Sequence, residues 1–104
     1  MSVRLRAAFA PSFSRDLKRV RRRGLDEGEL AVVIDLIVEN TPEALEELRR
    51  RHRMHTLKGA WRGSNECHVA NAGDWLLVWR VHGGVAFLQR TGTHDEIFRK
   101  RPPW

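Results

Sequence analysis

Five histidines, His52, His55, His68, His82 and His94, are the side chains of this sequence best suited to proton transfer. An unperturbed imidazole titrates near ~6.5, so one ring can take a proton while another gives one at neutral pH. The single cysteine, Cys67, permits neither an intramolecular disulfide nor a cysteine-based zinc site. Turn signals show which of these groups can meet. Gly83-Gly84 has the composition of a two-residue hairpin loop, so His82 faces Val85. Counting back from that loop sets Trp75 opposite Gly92 and Asp74 opposite Thr93, with His94 emerging beside Asp74. If residues 70–73 form the preceding loop, Val69 faces Asp74 and His68 faces Trp75. His68, Asp74, Trp75 and His94 then share one rim of the sheet. A single bulge in either hairpin would turn the affected side chains over. Cys67 falls on the face opposite His68 as a small buried residue, and His82 lies exposed at the far end.

Two imidazoles beside a carboxylate have a definite chemistry. The carboxylate fixes the tautomer of one ring or stabilises its charged form. A neighbouring indole offers a flat surface on which a base stacks. With basic side chains for phosphate, such a set suits metal-free cleavage of RNA, in which the 2′-OH attacks the adjacent phosphate and the 5′-oxygen leaves. The same groups could instead hold a metal through two His and one Asp, or simply cap backbone groups at the sheet rim.

The elements that must position these residues are legible in the hydrophobic pattern. Residues 2–9 alternate with the period of a strand, with Val3, Leu5, Ala7 and Phe9 on one side. Pro11 and Ser12 open a helix with Phe13, Leu17 and Val20 on one face, stopped by Gly24. Asp26 and Glu29 have capping-box spacing ahead of a second helix carrying Leu30, Val33, Ile34 and Ile37, closed by Asn40. Thr41-Pro42-Glu43 opens a short third helix reaching about Arg51. Residues 66–69, 75–81 and 85–91 read as strands, and the second of these is apolar on both faces and therefore central. The expected fold class is α+β, an N-terminal strand and helices packed on a mainly antiparallel sheet. One domain over residues 1–98 is expected, with 99–104, which carry Pro102-Pro103, as a tail.

Charge narrows the partners. The chain of 104 residues has a net charge of +6 and a pI near 11.0, which favours polyanions. Residues 1–24 hold eight basic side chains against Asp16 alone, 25–47 hold eight acidic and no basic ones, and 48–62 add six basic and no acidic ones. Each run alone reads as a solvated helix face; two basic blocks in one small domain point to a phosphate-binding surface. No apolar run approaches the ~20 residues that cross a bilayer, and the N-terminus lacks the apolar stretch of a signal peptide. A soluble, cytoplasmic protein is expected.

The order His55-Thr56-Leu57-Lys58-Gly59, Trp61-Arg62-Gly63, Glu66-Cys67-His68, Asp74-Trp75-Leu76-Leu77-Val78 and Arg90-Thr91-Gly92-Thr93-His94 with Phe98 resembles the YafQ family of the RelE toxin superfamily. Phe13 and Asp16-Leu17-Lys18-Arg19 ahead of Gly24-Leu25 extend the resemblance over nearly all the chain. The combination of Arg-Thr-Gly-Thr-His with Asp-Trp-Leu-Leu is its specific part. The resemblance implies a RelE-like fold and a type II toxin, a ribosome-dependent mRNA interferase needing no cofactor and no metal. It implies His55, His68, Asp74 and His94 as catalytic residues; the short, Gly-flanked arm that ends in His94 suits a general acid, with His68 or His55 as base and Asp74 tuning one of them. Trp75 and Phe98 would shape the base pocket, Phe98 equally being a core anchor. Arg90 would stabilise transition-state charge or form a plain salt bridge. The implied partners are a cognate antitoxin in a hetero-oligomer and mRNA in the ribosomal A site. Residues 40–54 and 70–73 are longer than is usual in the family, and both flank the site. A non-enzymatic toxin like the ParE branch is the alternative, which the three matched histidines disfavour; a nucleic-acid-binding module with a dead site is a third.

Overall fold

The computed structural model describes residues 3–70 and 73–99. Its sheet has five strands, β1 (Arg6–Phe9), β2 (His55–Thr56), β3 (Asn65–His68), β4 (Leu76–His82) and β5 (Val85–Gly92), in the order β1-β5-β4-β3-β2. β2 to β5 are antiparallel to their neighbours, and β1 runs parallel to β5 at the edge. The four helices are α1 (Pro11–Arg22), α2 (Glu27–Glu39), α3 (Pro42–His52) and the short α4 (His94–Phe98). The α+β class and the central place of β4 are as expected. The expected N-terminal strand is shorter, and only Leu5 of its alternating set is buried, because β1 has a neighbour on one side only. Residues 100–104 of the expected tail, and 71–72 of the expected loop, lie outside the described residues. Arg99 closes α4, its N–H bonded to the Asp95 carbonyl.

The helix boundaries follow local chemistry. Pro11 occupies the first turn of α1, where its missing N–H costs nothing. Asp26 caps α2 by accepting from the Gly28 N–H at 2.8 Å, a simple cap rather than a reciprocal box with Glu29. Thr41 caps α3 through the Ala44 N–H at 3.0 Å, with Pro42 at the first helical position.

The sheet buries two unequal faces. Against one, α1, α2 and α3 lay Phe13, Val20, Leu30, Val33, Ile37 and Leu48 on Cys67, Leu77, Trp79, Ala86 and Leu88. Against the other, Trp61 and Ile97 pack on Leu76 and Val78, with Leu57 and Phe98 half-buried at the margin. Trp61 belongs to a 3₁₀ turn (Gly59–Trp61). β4 is covered on both sides, which accounts for its unbroken apolar run.

Both hairpins depart from the simple count by one residue. Near the turn the pairing is as expected, from His82↔Val85 to Trp79↔Leu88. A bulge at Gln89 then moves Val78 opposite Arg90 and Leu76, not Trp75, opposite Gly92. Gln89 is buried and held there, its side chain accepting from Ser64 Oγ at 2.8 Å and its carbonyl from Ser12 Oγ at 2.7 Å. On the other side His68 pairs with Leu76, not Trp75.

Asp16, inside α1, is buried beneath this arrangement. Its carboxylate accepts from Arg90 Nε at 2.6 Å, Arg90 Nη2 at 3.1 Å and the Thr91 N–H at 3.1 Å. Asp16→Asn leaves the Arg90 guanidinium, mostly buried, without its counter-charge. Breaking such a pair costs about 3–5 kcal/mol. Urea unfolding should show a midpoint lowered accordingly with an unchanged slope; a shift below ~1 kcal/mol would remove this pair from the stabilising core.

Candidate active site

The site lies on the face of the sheet opposite α1 to α3, where β2, β3 and the start of α4 converge. Its floor is Glu66, on β3 between His55 of β2 and Val78 of β4. The Glu66 side chain is buried, yet one oxygen lies 3.4 Å from His55 Nε2 and the other 3.6 Å from His94 Nε2. His68, two residues on, shares its face of the strand. The His68 and His94 rings stand 6.1 Å apart, centroid to centroid. Three histidines therefore surround one buried carboxylate.

Local structure sets each ring. His94 is the first residue of α4, whose N-cap is Thr93. Thr93 Oγ1 accepts from the Glu96 N–H at 3.1 Å and the Glu96 side chain accepts from the Thr93 N–H at 2.9 Å, a complete capping box. Gly92 makes room for it, since a Cβ there would lie 2.7 Å from Glu96 Oε1 and the backbone φ is +150°. Asp74 Oδ1 accepts from both the His94 backbone N–H at 3.0 Å and ring Nδ1 at 2.7 Å. The ring is thereby fixed with Nδ1–H toward Asp74 and Nε2 toward Glu66 and the open face. His55 Nδ1 lies 3.0 Å from the Arg53 carbonyl, which leaves Nε2 for Glu66.

The electrostatics separate the rings. Burial is the largest influence on His68 and lowers its affinity for a proton. Glu66 works against this, while the charges of Arg53, His94 and His55 add to the lowering, and the net direction is down. For Asp74 burial is again the largest influence and works upward. The two hydrogen bonds from His94 and the charges of His94 and His68 outweigh it and hold the carboxyl below its usual range. Burial pushes the Cys67 thiol far up, so this residue packs as a small apolar group, on the face away from His68 as expected.

Four expected residues, His55, His68, Asp74 and His94, come together, and Phe98 stands beside them with its ring 6.1 Å from His94. Phe98 also packs edge-on against Trp61 at 5.3 Å, so it is both wall and anchor. Trp75 is a correction. The one-residue shift of both hairpins turns it to the helix side, where it is buried in the main core and donates Nε1–H to Thr91 Oγ1 at 2.9 Å. Such an indole offers no face to a base. Arg90 is a second correction: its guanidinium is spent on Asp16 and on the carbonyls of Glu96, at 3.1 Å, and Ile97, at 3.5 Å. It is the salt-bridged arginine of the two expected alternatives and supports α4 from behind. Glu66 is the residue that sequence reasoning left without a role. Its signal was available, because an acid two positions from a strand histidine shares that histidine's face. His52, also without an expected role, bonds the His68 carbonyl through Nδ1 at 2.8 Å, and His82 is exposed at the far hairpin. Among the described residues no group of three or more His, Cys, Asp or Glu side chains is arranged to hold a metal ion.

Comparison with known proteins places this geometry. Residues 5–99 match the family model described as the bacterial toxin of type II toxin–antitoxin system, YafQ. The chain belongs to the YafQ family. A YafQ-family relative, the mRNA interferase toxin YafQ of Escherichia coli K12, is 29% identical over 90 residues, which cover 86% of this chain and 91% of the relative. A copper-bound mutant toxin from Helicobacter pylori is similar in fold, with a TM-score of 0.79 and 31% identity over 90% of this chain and 99% of that one. The YafQ-family chain matched in the Escherichia coli DinJ–YafQ toxin–antitoxin complex gives a TM-score of 0.77 at 27% identity, over 92% of this chain and 99% of that one.

The clamp of Asp74 on His94 is directly testable. In Asp74→Asn the ring loses its anionic acceptor, and the other neutral tautomer should become populated, as read from ring-nitrogen NMR shifts. Global stability should change by less than about 1 kcal/mol, because both side chains are about half exposed. Unchanged ring shifts would mean that Asp74 does not set the tautomer.

Proposed function

We propose that the chain is the toxin of a type II toxin–antitoxin pair, an endoribonuclease that cuts mRNA on the ribosome in the cytoplasm through histidine acid–base chemistry. The observation that carries this reading is the pair of rings, His68 and His94, with centroids 6.1 Å apart on the face that holds the buried Glu66 carboxylate. His68 is pushed toward its neutral form and suits a general base. His94 has a carboxylate at each ring nitrogen, Asp74 at 2.7 Å and Glu66 at 3.6 Å, which together hold the ring with Nε2 toward the open face, the placement a general acid needs. With a phosphodiester between them, His68 takes the proton of the 2′-OH, whose oxygen attacks phosphorus. The bond from phosphorus to the 5′-oxygen breaks as His94 Nε2 delivers a proton to that oxygen. The products are a 2′,3′-cyclic phosphate and a 5′-hydroxyl. His55, tied to Glu66, stands where a positive ring would balance the non-bridging oxygens, and Phe98 offers a ring edge to a base. No helix among the described residues is long and apolar enough to cross a membrane. The net charge of +6 suits both an RNA target and an acidic antitoxin segment.

Expression of the native chain in a bacterial host should arrest growth, with new mRNA 5′ ends in the reading frame within minutes. His94→Ala should abolish both, a general acid being worth about 10²–10⁴-fold. Arrest that persists in the variant with mRNA intact would replace catalysis with inhibition by binding. The pH profile has a worked sign. Because the His68 proton affinity is lowered, the acid limb of kcat/KM should lie below the ordinary imidazole value of about 6.5. Glu66→Gln removes the one influence that raises it, so the limb should move further down while the rate falls. A limb that stays in place or moves up would take the base role away from His68.

A further inference from the structure

Beside the histidines, α3 ends in a run of arginines that the proposed chemistry does not use. Arg49 is paired with Glu46 at 3.2 Å, whereas Arg50, Arg51 and Arg53 form no ion pair among the described residues. These three, with His68, Ala70 and Gly73, line an open cavity of about 580 Å³, within the ~300–1,000 Å³ range of ligand clefts. No carboxylate of the described residues lines it. Its placement is fixed from two sides. The Met54 N–H returns to the Leu48 carbonyl at 3.0 Å to close the helix, and His52 Nδ1 holds the His68 carbonyl at 2.8 Å. The arginines are thus held at a set distance from the base of the reaction.

Favourable interaction with the α3 dipole would account for basic residues in its last turn, at about 0.3–1 kcal/mol each. It does not account for the strained backbone on which Arg53 is carried. That residue lies beyond the helix in the left-handed region, φ 53°, where glycine is at ease and a longer side chain is strained. A charge is retained there at a conformational cost, and it faces the cavity. We propose that this cavity is a phosphate subsite, in which Arg50, Arg51 and Arg53 hold backbone phosphates of RNA next to the scissile bond. Guanidinium groups suit this task through paired N–H donors that match phosphate oxygens. The assignment rests on the endoribonuclease reading for its purpose, though not for its binding chemistry.

The test uses the full chain and an uncleavable, fully 2′-O-methylated single-stranded RNA oligonucleotide, with binding measured by fluorescence anisotropy across a salt series. Each phosphate contact contributes about 0.7 to the slope of log K against log salt for a single strand. The double variant Arg50→Gln and Arg51→Gln should therefore lose about 0.7 per arginine, and Arg53→Gln about 0.7. Arg50→Lys with Arg51→Lys should restore the slope. Arg4→Gln, on the N-terminal segment remote from the cavity, should leave it unchanged. A slope lost on the oligonucleotide assigns the subsite to the substrate strand; a loss seen only with vacant ribosomes assigns it to ribosomal RNA. Slopes equal to the native chain in both arms overturn the subsite, as does weakened binding of an acidic peptide alone. If the slope falls but the native chain cuts no mRNA, the nuclease reading fails and the subsite stands. If cleavage is normal and the slope unchanged, the reverse holds.

Discussion

The buried pair of Asp16 and Arg90 joins what would otherwise be three separate pieces. Asp16 comes from α1, Arg90 and Thr91 from β5, and the carbonyls that Arg90 also binds belong to α4. Five residues make a helix too short to persist on its own, since nucleation is unfavourable and little propagation follows. α4 is held instead at both ends, by the capping box at Thr93 and by the guanidinium on its last carbonyls, with Ile97 buried beneath. His94 is the first residue of that helix, so the position of one ring depends on an ion pair formed with α1. Such a pair carries a desolvation cost that apolar side chains would not. What it supplies is the fixed geometry of β5 and α4 on which the site is assembled.

Glu66 is the complementary constraint on the open side. A carboxylate this deeply buried needs counter-charge or hydrogen bonds nearby, and among the described residues its ion-pair partners are His55 and His94. The consequence is a built-in asymmetry. His55 and His94 contact Glu66 directly, whereas the more deeply set His68 has its proton affinity lowered, by burial first and by the Arg53 charge among other causes. Under the proposed mechanism, imidazoles of identical chemistry would take different duties from their surroundings alone.

How far the sequence could be read follows from the same details. Strand and helix identities were legible because hydrophobic periods and caps are local, and β4 was correctly placed at the centre by its apolar run. The meeting of Asp74 with His94 was also anticipated, because it needs only the approximate register at the strand ends. The orientation of Trp75 was not, because it depends on a bulge at Gln89 that Ser12 and Ser64, from distant parts of the chain, stabilise. No spacing rule contains that information. Arg90 was left between two roles for the same reason: its partner Asp16 is 74 residues away. α4 and β2 were missed because each is too short to show a period. Glu66 is legible in principle from its place two residues before His68, but its histidine partners lie on other elements.

The stretch ahead of His55 then takes on a physical meaning. A chain that needed only to reach β2 from α2 would not require an eleven-residue helix ending in basic side chains. α3 contributes Ala44 and Leu48 to the buried set, which accounts for its inner face. Its C-terminal end is not explained by packing, for the arginines there face solvent and an open cavity. Arg53, one of the three arginines proposed to hold phosphate, is also among the charges that lower the proton affinity of His68. A phosphate seated beside Arg53 would offset that one contribution, although burial, the largest influence on His68, would remain.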